Sequence, residues 1–334
     1  MAYLSFFLKN IEKFKIRLAM PTCLLYILSN SYFFYMKRVI TLLSILAGLS
    51  SVSTAETLWV YGVSEQGGWY DADKTDKAAD YNKCWAAVSS NLINWWQNQY
   101  VITSPTSNGK NVPDEDAVWE QYRTSATNTM GDASIGVDWW WTGDAYDLYL
   151  LMGGYNYGPG TPFIQDGKEF SAAYFSNNVP YSYSYLDYVK TVSVSAIDLS
   201  SYLYDAMSDY DKQRMGFGIN LGGDNGHGVT LWGADFGDDL TLQAVYITDS
   251  DDVTDGGGDF DLKRFEVYQQ NGSYYLKDYW STTNKIDSLT VLDASATDAW
   301  GMERIYLTAP VPEPTTATLS LLALAGLAAR RRRK

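Results

Sequence analysis

Two residues stand out for the chemistry they could perform together: Cys84, and His227, the single histidine among 334 residues. A thiol is a strong nucleophile only as thiolate, and an adjacent imidazole is the usual means of making one. The other cysteine, Cys23, falls in an N-terminal stretch that reads as a leader, so a processed chain would keep one thiol and no disulfide framework. One Cys and one His also fall short of the roughly four ligands a structural zinc site takes. No metal or cofactor is expected.

A helix is expected to open at Cys84, because Val88, Leu92, Trp95, Trp96 and Gln99 recur at helical spacing and Cys84 lies on the same face. The positive end of that helix would favour a thiolate. His227 belongs to an alternating segment with Val229 and Leu231, and a second such segment carries Val245, Ile247 and Asp249. With the intervening turn centred on Asp238, Val229 faces Ile247 and His227 faces Asp249, within reach of an imidazole-to-carboxylate bond. The carboxylate would orient the imidazole toward the thiol. A bulge would shift the register, and Asp251 is the alternative acid.

Around this hairpin the period changes along the chain. Further helices are expected at Asp114 to Thr127, Thr142 to Met152 and Asp198 to Arg214, with a loop from Gly153 to Asn178. Strands are expected at Phe217 to Leu221, Phe265 to Tyr268 and Tyr274 to Tyr279. Helices first and antiparallel strands after them give an α+β class. Two other features could bind something. The Asp-rich run from Asp249 to Asp261 is calcium-like, but Val253 stands where an EF-hand loop needs an oxygen ligand. The aromatic clusters at Trp139 to Trp141 and Tyr181 to Tyr188 could line a glycan or protein face, with core packing the more ordinary reading.

Both ends look like processing segments. Lys37 and Arg38 precede an apolar run from Val39 to Leu49 and the small residues Ser53-Thr54-Ala55, the build of a secretory signal cut before Glu56 by signal peptidase. Met36 is then the expected true start; the alternative is a membrane anchor over Leu18 to Met36. At the other end, Pro312-Glu313-Pro314 is followed by an apolar run from Ala317 to Ala329 and by Arg330 to Lys334. That order resembles the PEP-CTERM sorting signal, which implies transient holding in the inner membrane of a Gram-negative cell and removal by an exosortase. A plain tail anchor is the alternative, although the apolar run is short of the ~20 residues a spanning helix uses. The expected division is therefore a leader at 1–55, one domain at 56–310 and a sorting segment at 311–334. The formal net charge of −14, with basic residues concentrated at the ends, argues against nucleic acid as a partner and would favour solubility.

Gly68-Trp69-Tyr70-Asp71, Lys74-Thr75, Cys84, Asn91 to Trp96 and His227 through Asp251, above all Leu231-Trp232-Gly233-Ala234-Asp235-Phe236 and Thr248-Asp249-Ser250-Asp251, form a pattern. At these residues the chain resembles the IdeS/Mac family of papain-like cysteine endopeptidases, which cleave immunoglobulin G near its hinge. The resemblance implies a papain-like fold, with Cys84 as nucleophile, His227 as base and acid, and Asp249 as the orienting residue. It also implies Lys74 as an oxyanion-hole donor beside the Cys84 backbone N–H. Strand alternation would put Asp251 on the same face as Asp249, too far for a direct bond to His227 but near enough to support Lys74 or the imidazolium. Two departures matter: Trp85 follows the cysteine where the family usually has glycine, and the middle from Gln99 to Met215 diverges, including part of the family's immunoglobulin-binding surface. Protein, including immunoglobulin, is the implied substrate. Another thiol acyl transferase or amidase on the same triad, and a non-catalytic surface-binding protein, are the alternatives.

Overall fold

The structure, a computed structural model, describes residues 56–101, 115–142, 187–209, 214–222, 226–252, 261–279, 284–300, 303–305 and 307. The expectations for the leader, for the sorting segment, for 143–152, for the loop at 153–178 and for the tyrosines at 181–186 lie outside them. Among the described residues no helix is long and apolar enough to cross a membrane.

Mixed helix and sheet, with the helices mainly preceding the strands, is the observed class. The helices are α1 (Lys77–Asp80), α2 (Cys84–Gln97), α3 (Glu115–Ser125), α4 (Ala133–Thr142) and α5 (Leu199–Ser208). The strands are β1 (Glu56–Trp59), β2 (Tyr100–Val101), β3 (Val189–Ser193), β4 (Met215–Gly222), β5 (His227–Phe236), β6 (Leu242–Thr248), β7 (Lys263–Gln270), β8 (Ser273–Leu276), β9 (Lys285–Asp293) and β10 (Glu303–Arg304). Strands β5, β4, β9, β8, β7 and β6 pair antiparallel in that order, and β6 returns to β5, so six strands close into a barrel. Closure removes the open edges that would otherwise invite pairing with another chain. Strand β1 adds to the far half of β5 and β3 to β9.

Helix α2 lies against β4 and β5 with α3 and α4 on its other sides. Its residues from Trp85 to Gln97 are all buried, so the expected one-sided apolar stripe is a helix enclosed on every side. Alternation in β4 explains how the barrel accepts it. Phe217, Ile219 and Leu221 occupy alternate positions, and Gly216 and Gly218 take the positions between, against the helix. A Cβ on Gly218 would fall 2.6 Å from Val88, and one on Gly216 would fall 2.8 Å from Trp95. Burial of Val88, Leu92, Ile93, Trp95 and Trp96 at about 1.5–3 kcal/mol per large apolar side chain makes this seam a principal source of stability.

Several expected elements are corrected. The Trp139 to Trp141 cluster lies within a helix, α4, that was not expected there, and all three indoles are buried. Trp141 packs at 5.4 Å from Trp96 and 5.0 Å from Trp300, so this cluster is core and not a binding face. Helix α5 stops at Ser208, short of Arg214, which lies immediately before β4. Strand β8 ends at Leu276, before Tyr279, because the chain turns at Asp278 with φ of 55°.

The β5–β6 register also differs from expectation. Leu231 faces Ile247 and Thr230 faces Thr248, a shift of two residues. The connection from Gly237 to Thr241 is longer than a turn centred on Asp238, with Leu240 at φ 62° and Gly237 N–H donating to Thr241 O. Register breaks between Leu231 and Gly233 and between Asp235 and Phe236 interrupt the ladder further. Moreover, β6 ends at Thr248, so Asp249 and Asp251 do not alternate on one strand face; they belong to a turn in which Asp252 N–H donates to Asp249 O.

Candidate active site

Cys84 is the first residue of α2, where backbone N–H groups of the opening turn have no intrahelical acceptor. The helix start is secured from outside: Lys83 is buried and its ammonium donates to Arg123 O (2.8 Å) and to Asp80 Oδ1 (3.2 Å). Asp76 caps the short α1 ahead of it by accepting from the N–H groups of Ala78 and Ala79. Trp85 turns into the helical half, where its indole N–H donates to Thr129 O (2.9 Å). Space for it comes from Gly131 and Gly136, where a Cβ would fall 2.6 and 3.0 Å from the ring. The bulky neighbour of Cys84 is thus accommodated in the helical half.

His227 opens β5, and the imidazole reaches both partners despite the shifted register. Its Nε2 lies 2.7 Å from Asp249 Oδ1, and the ring is also hydrogen-bonded to the Cys84 thiol. With Nε2 taken by the carboxylate, Nδ1 is the nitrogen left for sulfur. Asp249 is buried and its carboxylate accepts from the Asp251 N–H (2.9 Å) and from the Tyr279 hydroxyl as well. The turn after Thr248 brings the acid to the ring, a role expected of the strand pairing itself.

Lys74 is buried, its ammonium ion-paired with Asp251 and donating to Tyr81 O (3.0 Å). Asp251 also sits 3.6 Å from His227 Nδ1. An ammonium carries three N–H donors, and its charge acts on the Cys84 thiol. The segment bearing Lys74 is tied to both halves of the molecule. Ala72 N–H donates to Asn91 Oδ1 on α2, and Asn91 Nδ2 donates to Thr230 on β5 (both 3.0 Å). Thr248 donates to Tyr70 O, and Lys74 N–H donates to Ser250 O (both 2.9 Å). Structure therefore brings Lys74, Cys84, His227, Asp249 and Asp251 into one cluster. Two contributors had no role assigned from the sequence: Asn91 stands there only within the matching stretch Asn91 to Trp96, and Tyr279 comes from a different hairpin, 30 residues beyond Asp249.

The charges reinforce one another. Burial pushes the Cys84 thiol up, but the hydrogen bond and charge of His227, the charge of Lys74 and the Gly228 N–H outweigh it, leaving the thiol below its ordinary value. Burial pushes His227 down, while the charge and hydrogen bond of Asp249 and the contact with Cys84 hold it well above the ordinary imidazole range. For Asp249 burial acts upward, and His227, Tyr279 and the Asp251 N–H bring it below the ordinary carboxylate value. A thiolate–imidazolium pair is the state these shifts favour, and the two groups titrate as a unit. Activity should accordingly follow a bell in pH. It should rise as the pair loses its first proton, below the ordinary thiol range, and fall as His227 deprotonates, above the ordinary imidazole range. Measurement of kcat/KM against pH checks this, and an alkaline limb within the ordinary imidazole range would contradict it.

His227, Asp249 and Asp251 also offer ligand atoms within 4.8 Å of one another. Cation binding there would compete with the ammonium of Lys74 on Asp251 and with the Cys84 thiol on the ring.

The chain matches the Mac 1 family over residues 58–118 and 210–285, two blocks that contain Lys74 and Cys84 in the first and His227, Asp249, Asp251 and Tyr279 in the second. Residues 310–334 match the PEP-CTERM protein-sorting motif. A curated relative is an IgM protease of Streptococcus suis (strain P1/7), 27% identical over 220 residues, which take in 60% of this chain and 19% of that protein. The chain thus spans about a fifth of the length of the relative it matches.

Proposed function

From two blocks that match the Mac 1 family and a terminal segment that matches the PEP-CTERM sorting motif, we propose an exported cysteine endopeptidase of papain-like architecture that uses Cys84, His227 and Asp249. The observation that carries this reading is the buried Asp249 carboxylate 2.7 Å from the imidazole that hydrogen-bonds the Cys84 thiol at a helix N-terminus.

In this reading the Cys84 thiolate attacks the carbonyl carbon of the scissile peptide and forms a C–S bond. The oxyanion is met by the Cys84 backbone N–H and by an N–H of the Lys74 ammonium, whose other contacts on Asp251 and Tyr81 O hold it in place. His227 Nδ1 gives its proton to the leaving amine as the C–N bond breaks. Water then attacks the thioester, His227 takes its proton, and the free acid leaves with the thiolate restored. Asp249 keeps Nε2 protonated throughout and stabilises each imidazolium.

Because the S. suis relative is an IgM protease, immunoglobulin is the substrate class to test first, with the domain taken as 56–310 between a leader cut before Glu56 and an exosortase-removed segment at 311–334. The purified protein should be incubated with immunoglobulins and other host proteins, and the fragments weighed. Discrete cleavage supports the reading; amine-linked products without cleavage would replace it with acyl transfer on the same residues.

A further inference from the structure

Tyr279 takes no part in the chemical steps above, yet its hydroxyl donates to the second oxygen of the Asp249 carboxylate. The ring is buried and packs edge-on against Phe265 of β7 at 5.4 Å. It is delivered by the β7–β8 side of the barrel, just after a turn in which Lys277 N–H donates to Glu266 O (2.8 Å). His227 and Asp249 come from β5 and the end of β6, so the acid is gripped from two separate hairpins.

The chemistry of a carboxylate explains why this matters. Its two oxygens are equivalent, and rotation about its terminal torsion can offer either one, in any plane, to a neighbouring N–H. Here Oδ1 accepts from His227 Nε2 and from the Asp251 N–H, and Oδ2 accepts from Tyr279. We propose that Tyr279 is a positioning residue for the peptidase reaction, its hydroxyl fixing the plane of the Asp249 carboxylate so that His227 Nε2–H has one acceptor in one geometry. This rests on the triad reading given above. Burial and the Asp249 charge hold the phenol far above its ordinary value, so the hydroxyl stays a donor throughout the working range.

The test is Tyr279→Phe in the full chain, read three ways. First, kcat should fall about tenfold with KM unchanged, the size expected for one hydrogen bond to a charged group. Second, His227 is the only histidine, so its imidazole N–H resonances are assigned without ambiguity, and the Nε2–H signal should shift and broaden as exchange accelerates. Third, in an Asp249→Asn background the same substitution should cost little further activity, since the group it positions has already changed. A variant with parental kcat and an unaltered Nε2–H signal overturns the proposal even if its melting temperature falls, as does a full additional loss in the Asp249→Asn background. Should Tyr279→Phe fail to fold, Phe265→Leu, which loosens the ring but keeps the hydroxyl, should move kcat and the Nε2–H signal in the same direction; no change in either overturns the proposal. The resonance requires no substrate, so it reports on Tyr279 even if the chain proved to cleave no peptide.

Discussion

Cys84→Ala is expected to abolish peptide cleavage and leave the fold intact. The thiol sits at the first position of α2 and is partly exposed, while the adjoining residues from Trp85 onward make the buried contacts that seat the helix. Alanine is the best helix former and removes one atom, so the melting temperature should stay near that of the parent. The rate should not, because no neighbouring group can take over the covalent step. In a serine peptidase the loss of the nucleophile alone costs on the order of 10⁶ in kcat. Iodoacetamide should alkylate the parent rapidly near neutral pH, since a thiolate with His227 and Lys74 beside it is formed below the ordinary thiol range. Mass analysis of digests and of alkylated protein checks both statements, and turnover by the alanine variant at the parental rate would remove the cysteine mechanism.

Much of this site was legible because it is built from local signals. The apolar spacing after Cys84 announced a helix, and the alternation from Phe217 to Leu231 announced strands on either side of His227. What sequence could not supply was anything set by long-range contact. The register of β5 on β6 depends on irregularities between Leu231 and Gly233 and between Asp235 and Phe236, which leave no compositional mark. Strands β1, β3 and β9 are defined by their partners rather than by strong alternation, and the closure of six strands into a barrel has no local signature. Tyr279 reaches Asp249 only through that closure. Trp139 to Trp141 were ambiguous for another reason: three successive indoles point in different directions from a helix, and burial on every side erases the periodicity that would have declared one.

Asp249→Asn should cost about 10²-fold in kcat/KM, and Asp251→Asn roughly tenfold, a ranking that follows from the observed turn and not from strand pairing. An asparagine in place of Asp249 retains an acceptor for His227 Nε2 in only one of its two flips, and the other presents an amide N–H and favours the wrong tautomer. Even in the correct flip the charge is gone. Asp249 raises His227, and His227 in turn lowers Cys84, so losing the carboxylate should move the alkaline limb of the pH profile downward and the acid limb upward. The active window narrows from both sides. The loss should stay below the ~10⁴ seen for the equivalent change in a serine triad, because a thiolate is intrinsically nucleophilic and depends less on a base. Asp251 acts differently. The bond it makes to Asp249 comes from its backbone N–H and survives substitution. Its side chain is the counter-ion of Lys74 and lies 3.6 Å from His227 Nδ1. Asparagine there should loosen the ammonium proposed to meet the oxyanion, lowering kcat while leaving the Nε2–H resonance of His227 in place. Steady-state kinetics and the imidazole spectrum of the two variants decide the matter. A greater loss for Asp251→Asn, accompanied by a changed Nε2–H signal, would transfer the orienting role to Asp251.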